Sequence, residues 1–204
     1  MKSISKSIPK RDHSAKISGK AVYVCDYPTE GMLFGRLLRS KVARAKLLNV
    51  KLPDLPEGYF YIDKKDVPGE NEVFIFLKDT PVFADETVEH IGDPIGLLAG
   101  PDENIVNKLL GEIQVEYEEL EPVFDARKSD VVFFDYAYEK GDVEQAFKEA
   151  DKIYEEDFQT GLQEHMYIET NGVIAYYKDG KIHVHGSIQC PYYVHKALVH
   201  AMGM

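Results

Sequence analysis

Between residues 94 and 119 the sequence changes its hydrophobic period twice, and that order leaves few options for the fold. Ile95-Gly96-Leu97-Leu98-Ala99 is a continuous apolar run after the Gly92-Asp93-Pro94 turn. Such a run predicts a strand buried on both faces, although periodicity alone leaves a buried helix open. Asp102 stands where a helix N-cap belongs, ahead of Ile105, Val106, Leu109 and Leu110 on one face and Gly111 as the stop. Ile113, Val115 and Tyr117 then alternate with Glu112, Gln114, Glu116 and Glu118, the pattern of a half-buried strand with an acidic outer face. Solvation explains that carboxylate row without any catalytic role.

Shorter signals surround this unit. Residues 21–25, 32–39, 59–62 and 73–77 read as strands, and 45–50 as a strand or the end of a helical turn. The turns between them are marked by Asp26 to Gly31, by Pro53, Pro56 and Gly58, and by Pro68-Gly69. The stretch from Pro122 to Tyr138 changes character and reads as a connector. Asp142 followed by Gln145 is a capping-box pattern opening a helix with Val143, Ala146, Phe147 and Ala150 on one face. Residues 153–160, 172–177 and 181–185 read as strands, the last two joined by Lys178-Asp179-Gly180. Pro191 suits the first position of a final helix carrying Val194, Leu198, Ala201 and Met202 on one side. The expected architecture is α+β, with a boundary near residues 122–140.

Charge and cysteine usage narrow the function classes. The formal net charge of -11 disfavours a phosphate backbone, so nucleic acid is not an expected partner. Residues 1–20 run the other way, with Lys2, Lys6, Lys10, Arg11, Lys16 and Lys20 against Asp12 alone. No apolar segment follows them, so an extended arm on an acidic body is expected rather than a targeting peptide. No apolar run approaches the roughly 18 residues a membrane span needs. Cys25 and Cys190 lie far apart without CxxC or CxC spacing and cannot by themselves hold an iron–sulfur cluster or a structural zinc. A reducing, cytoplasmic setting is expected.

Several stretches, in order, resemble the opening of the molybdopterin subunit of the aldehyde oxidase/xanthine dehydrogenase family. They are Gly19-Lys20-Ala21-Val22-Tyr23-Val24-Cys25-Asp26, Gly31 through Ser40, Lys65-Asp66-Val67-Pro68-Gly69-Glu70-Asn71, Gly92-Asp93-Pro94-Ile95 through Ala99, and Val115-Glu116-Tyr117-Glu118-Glu119-Leu120. Together these resemble the family's a/b hammerhead domain. Gly141-Asp142-Val143 with Ala146-Phe147, then Gln163-Glu164-His165-Met166-Tyr167-Ile168-Glu169-Thr170 and Ser187-Ile188-Gln189, resemble the start of its molybdenum-cofactor domain, in a xanthine dehydrogenase-like version. Lys41, Arg44 and Asp93 depart from the residues usual at those places, all within the hammerhead part. The resemblance implies an N-terminal arm at 1–16, a hammerhead domain at 17–124, a connector at 125–140 and an incomplete α+β molybdopterin-domain segment at 141–204.

The resemblance also implies an activity: hydroxylation of a purine or an aldehyde with water as the oxygen source, using molybdopterin and molybdenum. Iron–sulfur clusters and FAD are expected on partner subunits or domains. The family's Gly-Gly-x-Phe-Gly loop, substrate-orienting Arg and base Glu are expected after residue 204, so the chain is expected to be a fragment, inactive alone, completed by the rest of the molybdenum subunit. A homo-oligomer is also open, because unpartnered strand edges invite association.

Gln189 is the candidate catalytic residue: by motif resemblance its amide hydrogen-bonds an oxygen on molybdenum. Its place between a strand end and a helix opening at Pro191 would put an N–H donor and a helix N-terminus at one spot, suited to an anionic oxygen; a Gln that merely caps its own helix is the plainer alternative. Other cofactor-binding residues are unassigned. His165 with Glu169, and His183 with His185 on one strand face, could in principle ligate a metal, but no third ligand has defined spacing, so no metal site is expected. The resemblance instead implies that His165 and Glu169 fix structure near the cofactor domain. The competing function is a non-catalytic docking or assembly module, or a truncated relic.

Overall fold

The buried run and its flanking elements build two antiparallel three-stranded sheets. The first has the order β1 (Phe34–Arg39), β5 (Pro94–Gly100), β3 (Phe60–Ile62), and the second β4 (Thr87–Val88), β2 (Ala45–Lys51), β6 (Gln114–Glu119). β5 is central because its residues can be buried on both faces; Leu37 pairs with Leu97 on one side and Tyr61 with Leu98 on the other. Helix α2 (Glu103–Glu112) follows β5 and packs on β1 and β5. Asp102 accepts hydrogen bonds from the Asn104 and Ile105 amides, and Val106 and Leu109 are buried.

Two core clusters result. One comprises Leu38, Ala45, Ala84, Val88, Ile95 and Ile113; the other Tyr59, Leu98, Val106 and Leu109. Full burial of Ile95, Leu98, Val88 and Val106 is worth roughly 1.5–3 kcal/mol for each large side chain. Tyr61 packs against both clusters. Its ring crosses Gly96, where an added Cβ would overlap the phenol. The Tyr61 hydroxyl is buried without a hydrogen-bond partner, and burial pushes its pKa up to about 12, with Asp63 and Asp66 adding to the shift.

This is a computed structural model describing residues 6–27, 30–75 and 77–204. They divide into two compact units. One runs to Pro122 and also takes in Glu169–Met204; the other is Val123–Ile168. In the first unit, β7 (Val173–Lys178) and β8 (Lys181–Gly186) form a separate hairpin. Its turn places Asp179 and Gly180 at φ 52° and 73°, the left-handed pair that matches strand twist. Helix α4 (Pro191–Met202) follows, with Pro191 in its first turn and Gly203 at φ 66° closing it. The second unit holds only a single 3-10 turn (Ala126–Lys128) and α3 (Val143–Glu149) as regular elements. Asp142 caps α3 by accepting from the Gln145 amide. The unit has no buried residue, and Phe124, Tyr138 and Phe158 are 85%, 90% and 90% exposed.

The architecture is α+β as expected, but several local expectations fail. Residues 21–25 form no strand: the Asp26 carboxylate accepts from the Tyr23 amide and winds Val24–Asp26 into a 3-10 turn. The turn expected from Asp26 to Gly31 includes Pro28 and Thr29, which lie outside the described residues. Residues 73–75 and 77 carry no strand, Phe76 lying outside the described residues; the Val73 amide instead closes a loop onto the Thr80 carbonyl. Residues 153–160 form no strand either: the unit they belong to holds no other strand to pair with them. α2 runs through Gly111 to Glu112, since Ile113 leaves the helix directly in extended backbone. The basic leader, expected to be extended, contains the short helix α1 (His13–Ile17), stapled by an Asp12–Lys16 ion pair of 2.6 Å; residues 1–5 lie outside the described residues.

Candidate functional site

The hairpin and α4 place Gln189. β8 ends at Gly186, residues 187–190 turn the chain, and Pro191 opens the helix. Gln189 is exposed in that turn. Cys190 occupies the N-cap position at φ -124° and makes no side-chain capping bond. Its carbonyl accepts from the Tyr193 amide at 3.0 Å and the Val194 amide at 3.5 Å. Gln189 immediately precedes this N-cap, next in sequence to a helix end that has no side-chain cap and whose dipole favours negative charge.

The turn is anchored from behind by a carboxylate. Ser187 Oγ donates to Glu169 Oε2 at 3.3 Å, and the Val24 amide donates to Glu169 Oε1 at 3.4 Å. Glu169 thus joins the end of one sequence signature to the Ser187-Ile188-Gln189 signature and to the 3-10 turn at Val24–Asp26. Sequence reasoning gave Glu169 a structural task without finding these partners; two motifs that each end in a polar residue were the available signal. His165 belongs to the other compact unit.

The two strand histidines are engaged by aromatics. Tyr176 stacks on His183 with centroids 4.9 Å apart and on His185 at 5.6 Å. Its hydroxyl lies 3.2 Å from His185 Nε2, and the Tyr27 hydroxyl lies 3.5 Å from His185 Nδ1. Both ring nitrogens of His185 therefore face phenols. Among the described residues no three His, Cys, Asp or Glu side chains converge as a metal site, and Cys25 and Cys190 are exposed free thiols.

A groove of about 580 Å³ lies beside Ser187, lined among others by Lys16, Lys20, Tyr27, Glu169 and His185. Its charge is partly internally balanced: the Lys16 ammonium holds the Asp12 carboxyl below its usual range, chiefly by their hydrogen bond. A second, more apolar cavity of about 510 Å³ lies between β1, α2 and β6, with Leu37, Leu110 and Tyr117 in its wall. Among the described residues no helix is long and apolar enough to cross a membrane.

Tested against a molybdenum cofactor, this donor set fits along one edge. A free side-chain amide beside an uncapped helix N-terminus suits an anionic oxygen, whereas a mixed-charge groove and an exposed turn do not enclose a large pterin.

Residues 18–121 match the family model described as "Aldehyde oxidase and xanthine dehydrogenase, a/b hammerhead domain", and residues 123–204 match "Molybdopterin cofactor-binding domain". The chain is 35% identical, over 91% of its length, to the xanthine dehydrogenase of Calliphora vicina, of which it spans 15%. It is 30% identical, over 93% of its length, to the nicotinate dehydrogenase large molybdopterin subunit of Eubacterium barkeri, of which it spans 48%. Among solved structures, the aldehyde oxidoreductase of Desulfovibrio gigas superposes with a TM-score of 0.79 at 26% identity, covering 96% of this chain and 25% of that one. The chain thus spans less than half the length of each of these proteins. On the family matches and the shared fold, the chain belongs to the aldehyde oxidase and xanthine dehydrogenase family, carrying its a/b hammerhead domain and sequence of its molybdopterin cofactor-binding domain.

Proposed function

We propose that this chain supplies one wall of the cofactor site in a molybdenum hydroxylase that oxidises purines or aldehydes with water as the oxygen source. The observation that carries the reading is Gln189, exposed between β8 and the uncapped start of α4. When bound, the molybdenum cofactor supplies the two-electron oxidation. The chain's own part is to donate the Gln189 side-chain N–H to an oxygen at the edge of the cofactor, and to hold that donor in place before reaction rather than during it. Glu169 keeps the turn in position through Ser187, so it is a positioning residue.

The remaining parts of the reading follow the family. The arm at 1–16, hammerhead domain at 17–124, connector at 125–140 and molybdopterin-domain segment at 141–204 belong to this proposal, as does a cytoplasmic setting. The base, the substrate-orienting residue and most of the cofactor contacts come from further polypeptide of the molybdenum subunit, and iron–sulfur and FAD components carry electrons away. Purified alone, the chain is expected to show neither xanthine-dependent dye reduction nor stoichiometric molybdenum.

In the assembled enzyme, Gln189→Ala should lower kcat by about 10²-fold, the usual effect of losing one preorganised donor, and should alter the spectrum of the molybdenum centre. An unaltered spectrum with full turnover would remove Gln189 from the site. The exposed aromatics of Val123–Ile168 favour a second reading, a docking module without catalysis. Activity that survives deletion of the whole hairpin and α4 from the assembled enzyme would select it.

A further inference from the structure

We propose that the Pro68–Gly69–Glu70 turn of the hammerhead domain positions helix α4, and through it Gln189; the link to Gln189 rests on the reading of that residue given above. The last carbonyls of a helix have no partners within it. In α4 two of them are met from far away in the sequence: the Gly69 amide donates to the Ala201 carbonyl at 2.8 Å and the Glu70 amide to the His200 carbonyl at 2.9 Å. The approach is too close for any side chain at position 69. A Cβ there would overlap the His200 carbonyl oxygen and come within 2.6 Å of the Gly203 nitrogen.

Side chains reinforce the joint without making it. Lys196 Nζ lies 3.6 Å from the centre of the Phe74 ring. His200 Nδ1 stands 3.8 Å from Glu70 Oε2. Lys78 Nζ contacts Glu70 at 2.8 Å and Glu72 at 3.6 Å. The Lys78 hydrogen bond holds the Glu70 carboxyl below its usual range, with His200 a smaller influence.

The other end of the segment is fixed as well. Tyr27 meets His185 on β8, and Val24 and Ser187 meet at Glu169. Residues 187–190 are therefore strung between two anchors, to each of which the part of the chain before Pro122 contributes. Gln189 is exposed, so these anchored ends set its place. A helix of 12 residues is about 18 Å long, and a small tilt at its clamped end moves its opening turn.

Cys190 gives a direct test. In a Cys25→Ser background it is the sole thiol, exposed and adjacent to Gln189. A spin label on it should report restrained motion in the parent chain. Gly69→Ala should mobilise that label and speed amide exchange across 191–203 by about tenfold or more, leaving β5 and α2 protection unchanged. Gly111→Ala, where an added Cβ meets nothing within 4 Å, should do neither. A folded Gly69→Ala chain with the parent's label spectrum and α4 exchange would overturn the proposal. Should that variant not fold, the parent chain decides: the Gly69 and Glu70 amides should exchange in step with α4, and exchange tenfold faster than the helix would overturn it equally. Gln189→Ala should leave both readouts alone, and the molybdenum spectrum of the assembled enzyme judges that residue separately.

Discussion

The stretch from Phe34 to Glu119 and the stretch Val123–Ile168 both carry apolar and aromatic residues at short intervals, yet they end in opposite states. In the first, Leu98, Val88, Ile95 and Val106 are wholly removed from solvent. In the second nothing is buried, and Leu162 and Ile168 are fully exposed. The difference is not hydrophobicity but periodicity with a partner. The 94–119 segment alternates strand, helix and strand so that each apolar face meets another. The later segment offers a short helix and a 3-10 turn and contributes no strand to any sheet.

Truncation should separate the two regions most sharply. Leu98→Ala is expected to destabilise the chain by about 3 kcal/mol in urea unfolding, while Phe158→Ala, at a 90% exposed position, should stay within about 0.5 kcal/mol. Equal losses would mean that the second region holds a core of its own. Limited proteolysis should cut within 123–168 at least tenfold faster than anywhere in 34–119; first cuts in the sheets would reverse the ranking.

Helix caps test the same contrast on a smaller scale. Asp102→Ala should cost about 1 kcal/mol, because α2 is packed on the first sheet and loses bonds to two amides. Asp142→Ala, capping the unpacked α3, should move the global midpoint by less than about 0.3 kcal/mol. Tyr61→Phe should have the smallest effect at neutral pH, since it removes a buried hydroxyl that has no partner. Its signature is alkaline. The folded pKa is raised from 10.0 to about 12, so the unfolded chain releases its phenol proton first and stability falls as pH rises through that window. Phenylalanine should abolish that part of the fall.

Much of this was legible in the residues. The run at 95–99, the Asp102 cap and the Val115/Tyr117 alternation each carry a local physical signal, and each has its expected form. Pro191 and Asp179-Gly180 likewise announced a helix start and a hairpin. What misled were short apolar stretches whose fate depends on others: residues 153–160 need a neighbouring strand, and 21–25 lost to one carboxylate, Asp26. Gln189 was placed between strand and helix by motif and turn signals. Its support by Glu169 and by the Gly69–Glu70 turn was not legible, because main-chain donors and long-range carboxylate bonds leave no periodic trace.

The Glu169 carboxylate bonds to an amide 145 positions earlier. Closing so long a loop adds little to the equilibrium cost, which grows only logarithmically with length, but such contacts form slowly compared with local ones. On the ribosome, the hammerhead sheets can close while the hairpin and α4 are still unmade. The turn that carries Gln189 is thus assembled onto a platform already made, rather than built together with it.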